Sequence, residues 1–201
     1  VVTAYAYWVC LNANRPGATW DQLLQQYTDA ALTDAAAGWE SEHRESEAVR
    51  RALSQARGPV LDVGAGWGRL APVYSAAGLQ AIYLEPVTLG VRLMRRQVLG
   101  PIICGRGERL PCAGGTFGTV LIGWVLHHGA DGTDPAALVG EAVRVCAPHG
   151  TFISVEPLSE RFTEPEWIGL LARAGFVVGD LVQLAEISHR RRGAEVHKLA
   201  L

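Results

Sequence analysis

The residues best suited to chemistry in this 201-residue chain fall in three short stretches. The first is Asp62-Val63-Gly64-Ala65-Gly66-Trp67-Gly68, where closely spaced glycines let the backbone turn sharply and approach a ligand with no Cβ in the way. A dinucleotide-binding turn would read G-x-G-x-x-G, but Arg69 holds the place of its third glycine, so the pattern is G-x-G-x-G. Asp62, beneath the turn, suits a ligand with an ammonium group better than one with a pyrophosphate. The second stretch is Ile82-Tyr83-Leu84-Glu85-Pro86. Glu85 follows Gly68 by seventeen residues, and a carboxylate there can accept both ribose hydroxyls of a nucleoside. The third is Trp124-Val125-Leu126-His127-His128, whose imidazoles can hold or take a proton near neutral pH.

These stretches must be positioned by the elements around them. From Gly58 onward, short apolar runs alternate with helical stretches closed by Gly or Pro. Strands are expected at Val60–Val63, Gln80–Leu84, Pro101–Cys104, Thr119–Leu126 and Thr151–Val155. Helices are expected over Leu70–Ala77 and Leu89–Leu99, and from Asp134-Pro135 after an N-cap and an early proline. Another opens at the capping-box spacing Thr163-Glu164-Pro165-Glu166 and ends at Gly175. Pro148-His149-Gly150 reads as a turn, and Phe176–Ile187 with Ala194–Leu201 as a terminal hairpin. Such alternation predicts an α/β fold, doubly wound around a mostly parallel sheet, with ligands at the carboxyl ends of the strands. Residues 1–57 read instead as helices, so the expected division is an N-terminal helical extension over 1–57 and an α/β domain over 58–201.

Composition narrows the chemistry. Hydrophobic residues make up 49% and the formal net charge is −2, so a core can form and no basic excess exists to grip nucleic acid. Lys198 is the single lysine, which removes the phosphate-gripping G-x-x-x-x-G-K-[ST] loop and Schiff-base chemistry in the body of the fold. Cys10, Cys104, Cys112 and Cys146 form no C-x-x-C pair and read as small core residues, and no metal site is expected. The apolar start, Val1 to Ala13, is too short to span a membrane, and its first basic residue is Arg15, unlike a signal peptide. A cytoplasmic protein is expected.

Beside this reading, the chain from about Gly58 onward resembles the class I S-adenosylmethionine-dependent methyltransferases. The resemblance is carried by the glycine turn with Asp62 and Glu85, and by Gly107-Glu108-Arg109-Leu110-Pro111 followed by Thr116-Phe117. It is also carried by Trp124–His128, by Glu141–Gly150 before the fifth strand, and by Ala174-Gly175-Phe176 before the sixth. It implies a seven-stranded Rossmann-like sheet in the order 3-2-1-4-5-7-6. It further implies that Asp62, Gly64, Ala65, Gly66 and Gly68 hold the methionine end of S-adenosylmethionine, with Glu85 and Pro86 at the ribose. Arg106, Gly107 and Glu108 would border the adenine. Arg106 departs from the family's usual acidic residue, and since a guanidinium cannot accept the adenine amino bond, Glu108 or a carbonyl must substitute. Gly118 stands where the family has an Asp, which reads as a structural loss.

Methyl transfer is an in-line displacement, so the protein mainly positions the reactants and keeps the site dry. A base is needed only for an acceptor that is protonated at working pH. His127 and His128 are the candidates, and strand alternation would turn only one of them to the pocket. Trp124 could border the adenine or the sulfonium, or simply pack. Tyr27, Trp39 and His43 are lid candidates with ordinary packing as the alternative, and Glu156, at the acceptor side, reads as a solvated strand end, with anchoring of a substrate as the alternative. The leading function is methyl transfer to an O, N or C atom of a small molecule. Same-fold chemistry without methylation, or a non-catalytic partner subunit, are the alternatives. Only six residues separate Glu156 from Thr163, so the acceptor pocket is expected to be roofed by residues 1–57 or by a second copy in a homo-oligomer.

Overall fold

A computed structural model describes residues 45–95, 98, 100–179 and 181, and the backbone of 185–191 and 194–200. Tyr27, Trp39 and His43 lie outside the described residues, as do most of the N-terminal extension and Cys10. The described chain begins in a helix, α1, over residues 45–52. It continues through β1 (Val60–Val63), α2 (Ala71–Ala76), β2 (Ala81–Glu85), α3 (Thr88–Met94) and β3 (Ile102–Cys104). β4 (Phe117–Gly123) leads through a 3₁₀ turn, Leu126–Asp131, into α4 (Pro135–Val145) and β5 (Cys146–Val155). Then come β6 (Pro157–Leu158), α5 (Glu164–Arg173), β7 (Ala185–Arg191) and β8 (Ala194–Ala200).

β1 to β5 form one parallel sheet in the order β3-β2-β1-β4-β5. All four β1 residues are buried, as expected of a central parallel strand covered on both faces. Its side chains alternate between two cores. Leu61 and Val63 join Leu138, Val139, Ala142 and Trp167 beneath α4 and α5. Val60 joins Val49, Leu53, Leu70, Tyr74 and Met94 beneath α1, α2 and α3. The helix starts obey local rules: the Asp134 side chain accepts from Ala136 N and Ala137 N at 3.0 Å each, and Thr163 with Glu166 closes a capping box.

Four expectations are corrected. The five-strand order matches, but β7 and β8 do not extend this sheet. They pair with each other and with β6 in a separate antiparallel sheet, β6-β8-β7. Residues 176–179 have no regular structure: Phe176 stacks on Phe152, but Val177 and Val178 beyond it are exposed, at 96% and 37%, so the hairpin starts later than Phe176. The turn at Pro148-His149-Gly150 lies inside β5, as a bulge between the Phe117–Cys146 and Thr119–Thr151 pairings, with His149 in the left-handed region. Gly118 is a necessity and no loss. A Cβ there would overlap the Arg57 carbonyl, where the chain passes close on its way into β1.

Candidate active site

The glycine turn sits where β1 ends. Gly64 N and Ala65 N both donate to Leu84 O, at 2.8 and 3.0 Å, which ties the turn to β2. Gly64, Gly66 and Gly68 all have left-handed φ, at 75°, 60° and 81°, conformations glycine adopts without a Cβ penalty. A Cβ on Gly64 would also overlap the Val125 side chain. The turn is thus closed against the segment that follows β4.

Glu85, 1% exposed, meets the turn from the neighbouring strand. Its Oε2 accepts from Gly66 N at 2.9 Å and its Oε1 from Val87 N at 2.8 Å. Pro86 follows at the exposed rim. Asp62 lies on the α2 face of β1, where Tyr74 Oη donates to its Oδ2 at 2.9 Å. Burial pushes the Asp62 carboxyl up to about 6, against the Tyr74 bond and the nearby Arg69 guanidinium, which both lower it. Arg69 reaches back to Glu45 of α1, Nη2 to Oε1 at 2.6 Å, with the Glu45 side chain only 4% exposed. α1 is therefore fastened to the glycine turn.

On the other face, Gly107 is buried so closely that a Cβ would lie 2.8 Å from Val63 Cγ1. Exposed Arg106 donates to Glu108 Oε1 at 2.7 Å and to Gly132 O at 3.0 Å. The guanidinium thus turns to Glu108 and the 3₁₀ turn. Arg144 holds this loop in place by donating to the carbonyls of Cys112 and Leu110 while paired with Glu141.

β4 ends at Gly123, so His127 and His128 stand in the 3₁₀ turn and not on the strand. Strand alternation therefore does not apply to them. The cause is Trp124, whose φ of 62° breaks the strand. Its indole Nε1 is enclosed without a partner among the described residues, and its ring packs with the cluster of Val49, Leu53 and Tyr74. That cluster is on the opposite face of the sheet from Leu138, which lies against Gly107, so stacking of Trp124 on the adenine border is not what the packing arranges. The His128 side chain is outside the described residues.

Glu156 is the residue that sequence reasoning misread. It is 0% exposed, not solvated. Its carboxylate accepts from Val125 N and Leu126 N at 3.0 Å each, from His127 N at 3.3 Å, and from His127 Nδ1 at 2.9 Å. A signal existed: the Glu-Pro pair at the end of β5 repeats the Glu85-Pro86 pair at the end of β2. Among the described residues, no three His, Cys, Asp or Glu side chains gather as a metal site requires. Nor is any helix among them long and apolar enough to cross a membrane.

Residues 61–154 match the family described as "Methyltransferase domain". An uncharacterized methyltransferase of Mycobacterium tuberculosis (strain ATCC 25618 / H37Rv) is 29% identical over 143 residues, which are 70% of this chain and 57% of that protein. The chain thus spans little more than half of that relative's length. Among solved structures, the [4+2]-cyclase SpnF superposes with a TM-score of 0.63 at 19% identity, covering 70% of this chain and 59% of its own. The geranyl diphosphate C-methyltransferase of Streptomyces coelicolor A3(2), solved with Mg2+, geranyl diphosphate and S-adenosyl-L-homocysteine, gives 0.62 at 14% identity, covering 71% and 63%. At such identities these two likenesses show the fold.

Proposed function

We propose, from the match of residues 61–154 to a methyltransferase domain and from the Rossmann-like fold, a protein that moves a methyl group from S-adenosylmethionine to an O, N or C atom of a small molecule. One observation carries this reading: a glycine cradle, a buried carboxylate and a histidine backed by a second buried carboxylate converge at the carboxyl edge of one sheet. The turn fits the cofactor in its backbone: three left-handed glycines bend the chain sharply where β1 ends, with Gly64 closed against Val125 and Gly68 against Val98 and Met94. Asp62, Gly64, Ala65, Gly66 and Gly68 hold the methionine end, and Glu85 takes the ribose hydroxyls beside Pro86. Arg106, Gly107 and Glu108 border the adenine, with the Arg106 guanidinium directed onto Glu108 and Gly132. When bound, the cofactor supplies an electrophilic sulfonium methyl.

The chain's own residues orient and desolvate. Trp124 walls the space between the turn and His127. His127 withdraws the proton of an acceptor that carries one, with His128 in the same turn as the alternative base. Residues 1–57 cover the mouth of the site, alone or with a second copy of the chain, and the Glu45–Arg69 pair fastens the described end of that extension. The three described cysteines are unpaired, in keeping with action in the reducing cytoplasm.

The test is incubation with methyl-deuterated S-adenosylmethionine and a small-molecule extract, followed by mass spectrometry. Label in a small molecule, lost with Gly66→Val, supports the reading. Label on protein or nucleic acid would refute the small-molecule acceptor. Cofactor retained without S-adenosylhomocysteine formation would favour non-methylating chemistry on the same fold, the reading that the likeness to a cyclase supports.

A further inference from the structure

We propose that Glu156 and Trp124 are positioning residues, which together hold His127 in the tautomer with its proton on Nδ1. The proposal rests on the reading of His127 as the proton acceptor and adds how that role is prepared. A carboxylate only accepts hydrogen bonds. With Glu156 Oε2 at 2.9 Å from Nδ1, that ring nitrogen is the donor, and the lone pair of the neutral imidazole is on Nε2.

The carboxylate is itself held. Three successive backbone N–H groups, of Val125, Leu126 and His127, converge on its two oxygens. They are the donors left without a carbonyl partner at the start of the 3₁₀ turn, an end whose aligned N–H groups suit an anion. Trp124, at φ 62°, bends the chain out of β4 into this turn, and Val125 follows at φ −122° and ψ −44°. Directly before this turn, Trp124 N donates to Val155 O at 2.7 Å, which brings the last residue of β5, and with it Glu156, alongside.

A tryptophan in the left-handed region is strained, whereas glycine would hold that φ freely, as it does at 64, 66 and 68. The side chain therefore adds something beyond the backbone shape. Its ring stands edge-on to His127, with centroids 6.3 Å apart and planes at 85°, which limits how far the imidazole can rotate away from Glu156.

The experiment is nitrogen-15 NMR of histidine-labelled full chain, at a pH where the ring is neutral, with the His127 signals identified by their loss in His127→Asn. The expected wild-type spectrum shows protonated Nδ1 and unprotonated Nε2. Glu156→Gln, with its circular dichroism unchanged, should shift the tautomer ratio at least fivefold toward Nε2–H. Trp124→Gly, which tolerates the turn but removes the ring beside His127, should shift the ratio part of the way toward Nε2–H, and Trp124→Val, which also strains the turn, should shift it further; an unaltered ratio in Trp124→Gly would overturn the role of the ring. Wild-type His127 protonated on Nε2, or an unaltered ratio in Glu156→Gln, would overturn the proposal. An unaltered ratio in Trp124→Val would overturn the part assigned to Trp124. Should Glu156→Gln fail to fold, the wild-type spectrum decides alone. Tautomer readings need no acceptor, so a chain with the expected tautomer that forms no S-adenosylhomocysteine refutes methyl transfer and leaves this proposal standing.

Discussion

Glu85 and Glu156 occupy equivalent places, each directly before a proline at the carboxyl end of a parallel strand, and each is buried. Yet they are held differently. Glu85 accepts from the backbone N–H groups of Gly66, in the glycine turn, and Val87, two residues on. Glu156 accepts three backbone N–H groups and an imidazole, which fills its capacity. The same residue pair therefore ties a strand end to the glycine turn in one place and to the turn after β4 in the other.

That contrast can be broken most directly at Glu156. Glu156→Ala strips partners from three backbone N–H groups, and at about 1–3 kcal/mol for each orphaned buried group the loss should be roughly 3 kcal/mol or more of unfolding free energy. Urea denaturation measures it, and a loss below about 1 kcal/mol would erase the distinction from Glu85.

Asp62 comes next. Its unfolded carboxyl ionises near 3.8 and the folded one near 6, so the fold holds the proton more tightly. The resulting stabilisation is complete below 3.8 and is lost as pH rises through about 6. Ionising this group in the fold costs at most about 3 kcal/mol. Asp62→Asn should therefore be more stable than wild type at neutral pH, with the difference vanishing in acid. Equal urea midpoints across that range would show that the buried carboxyl is compensated.

Glu85→Ala should weaken S-adenosylhomocysteine binding by roughly 1.5–3 kcal/mol, the range for hydrogen bonds to a charged group. Calorimetry with unchanged affinity would remove the ribose assignment and make Glu85 a second structural anion. The smallest effect is expected at the fastening of α1. Glu45→Gln keeps a hydrogen bond to Arg69 but removes the charge, and should cost about 1 kcal/mol in urea denaturation.

Much of the fold was legible because its signals are local. The β1 run, the glycine turn, the Asp134 cap and the Thr163–Glu166 box each lie within a few consecutive residues. What was not legible depended on distant partners. Glu156 read as solvated because nothing near it in the chain announces that the turn after β4 will wrap its carboxylate. Thr119–Leu126 read as continuous strand because its residues are apolar, whereas the left-handed Trp124 stops the strand at Gly123. Gly118 read as a loss because the Arg57 carbonyl that excludes its side chain belongs to another segment. Strands of the terminal hairpin were foreseen, but not that they would pair with β6 apart from the main sheet.

The central place of β1 has a consequence for how the chain is made. Residues 60–63 bond on one side to residues 81–84 and on the other to residues 119–122. On the ribosome, β1 and β2 emerge long before β4, and until β4 arrives one edge of a largely apolar pair of strands is open to other nascent chains. Pairings so distant in sequence also form slowly. The interval between synthesis of Leu84 and of Ile122 is thus the period in which this protein is most exposed to aggregation, and the period in which a chaperone would have most effect on its yield.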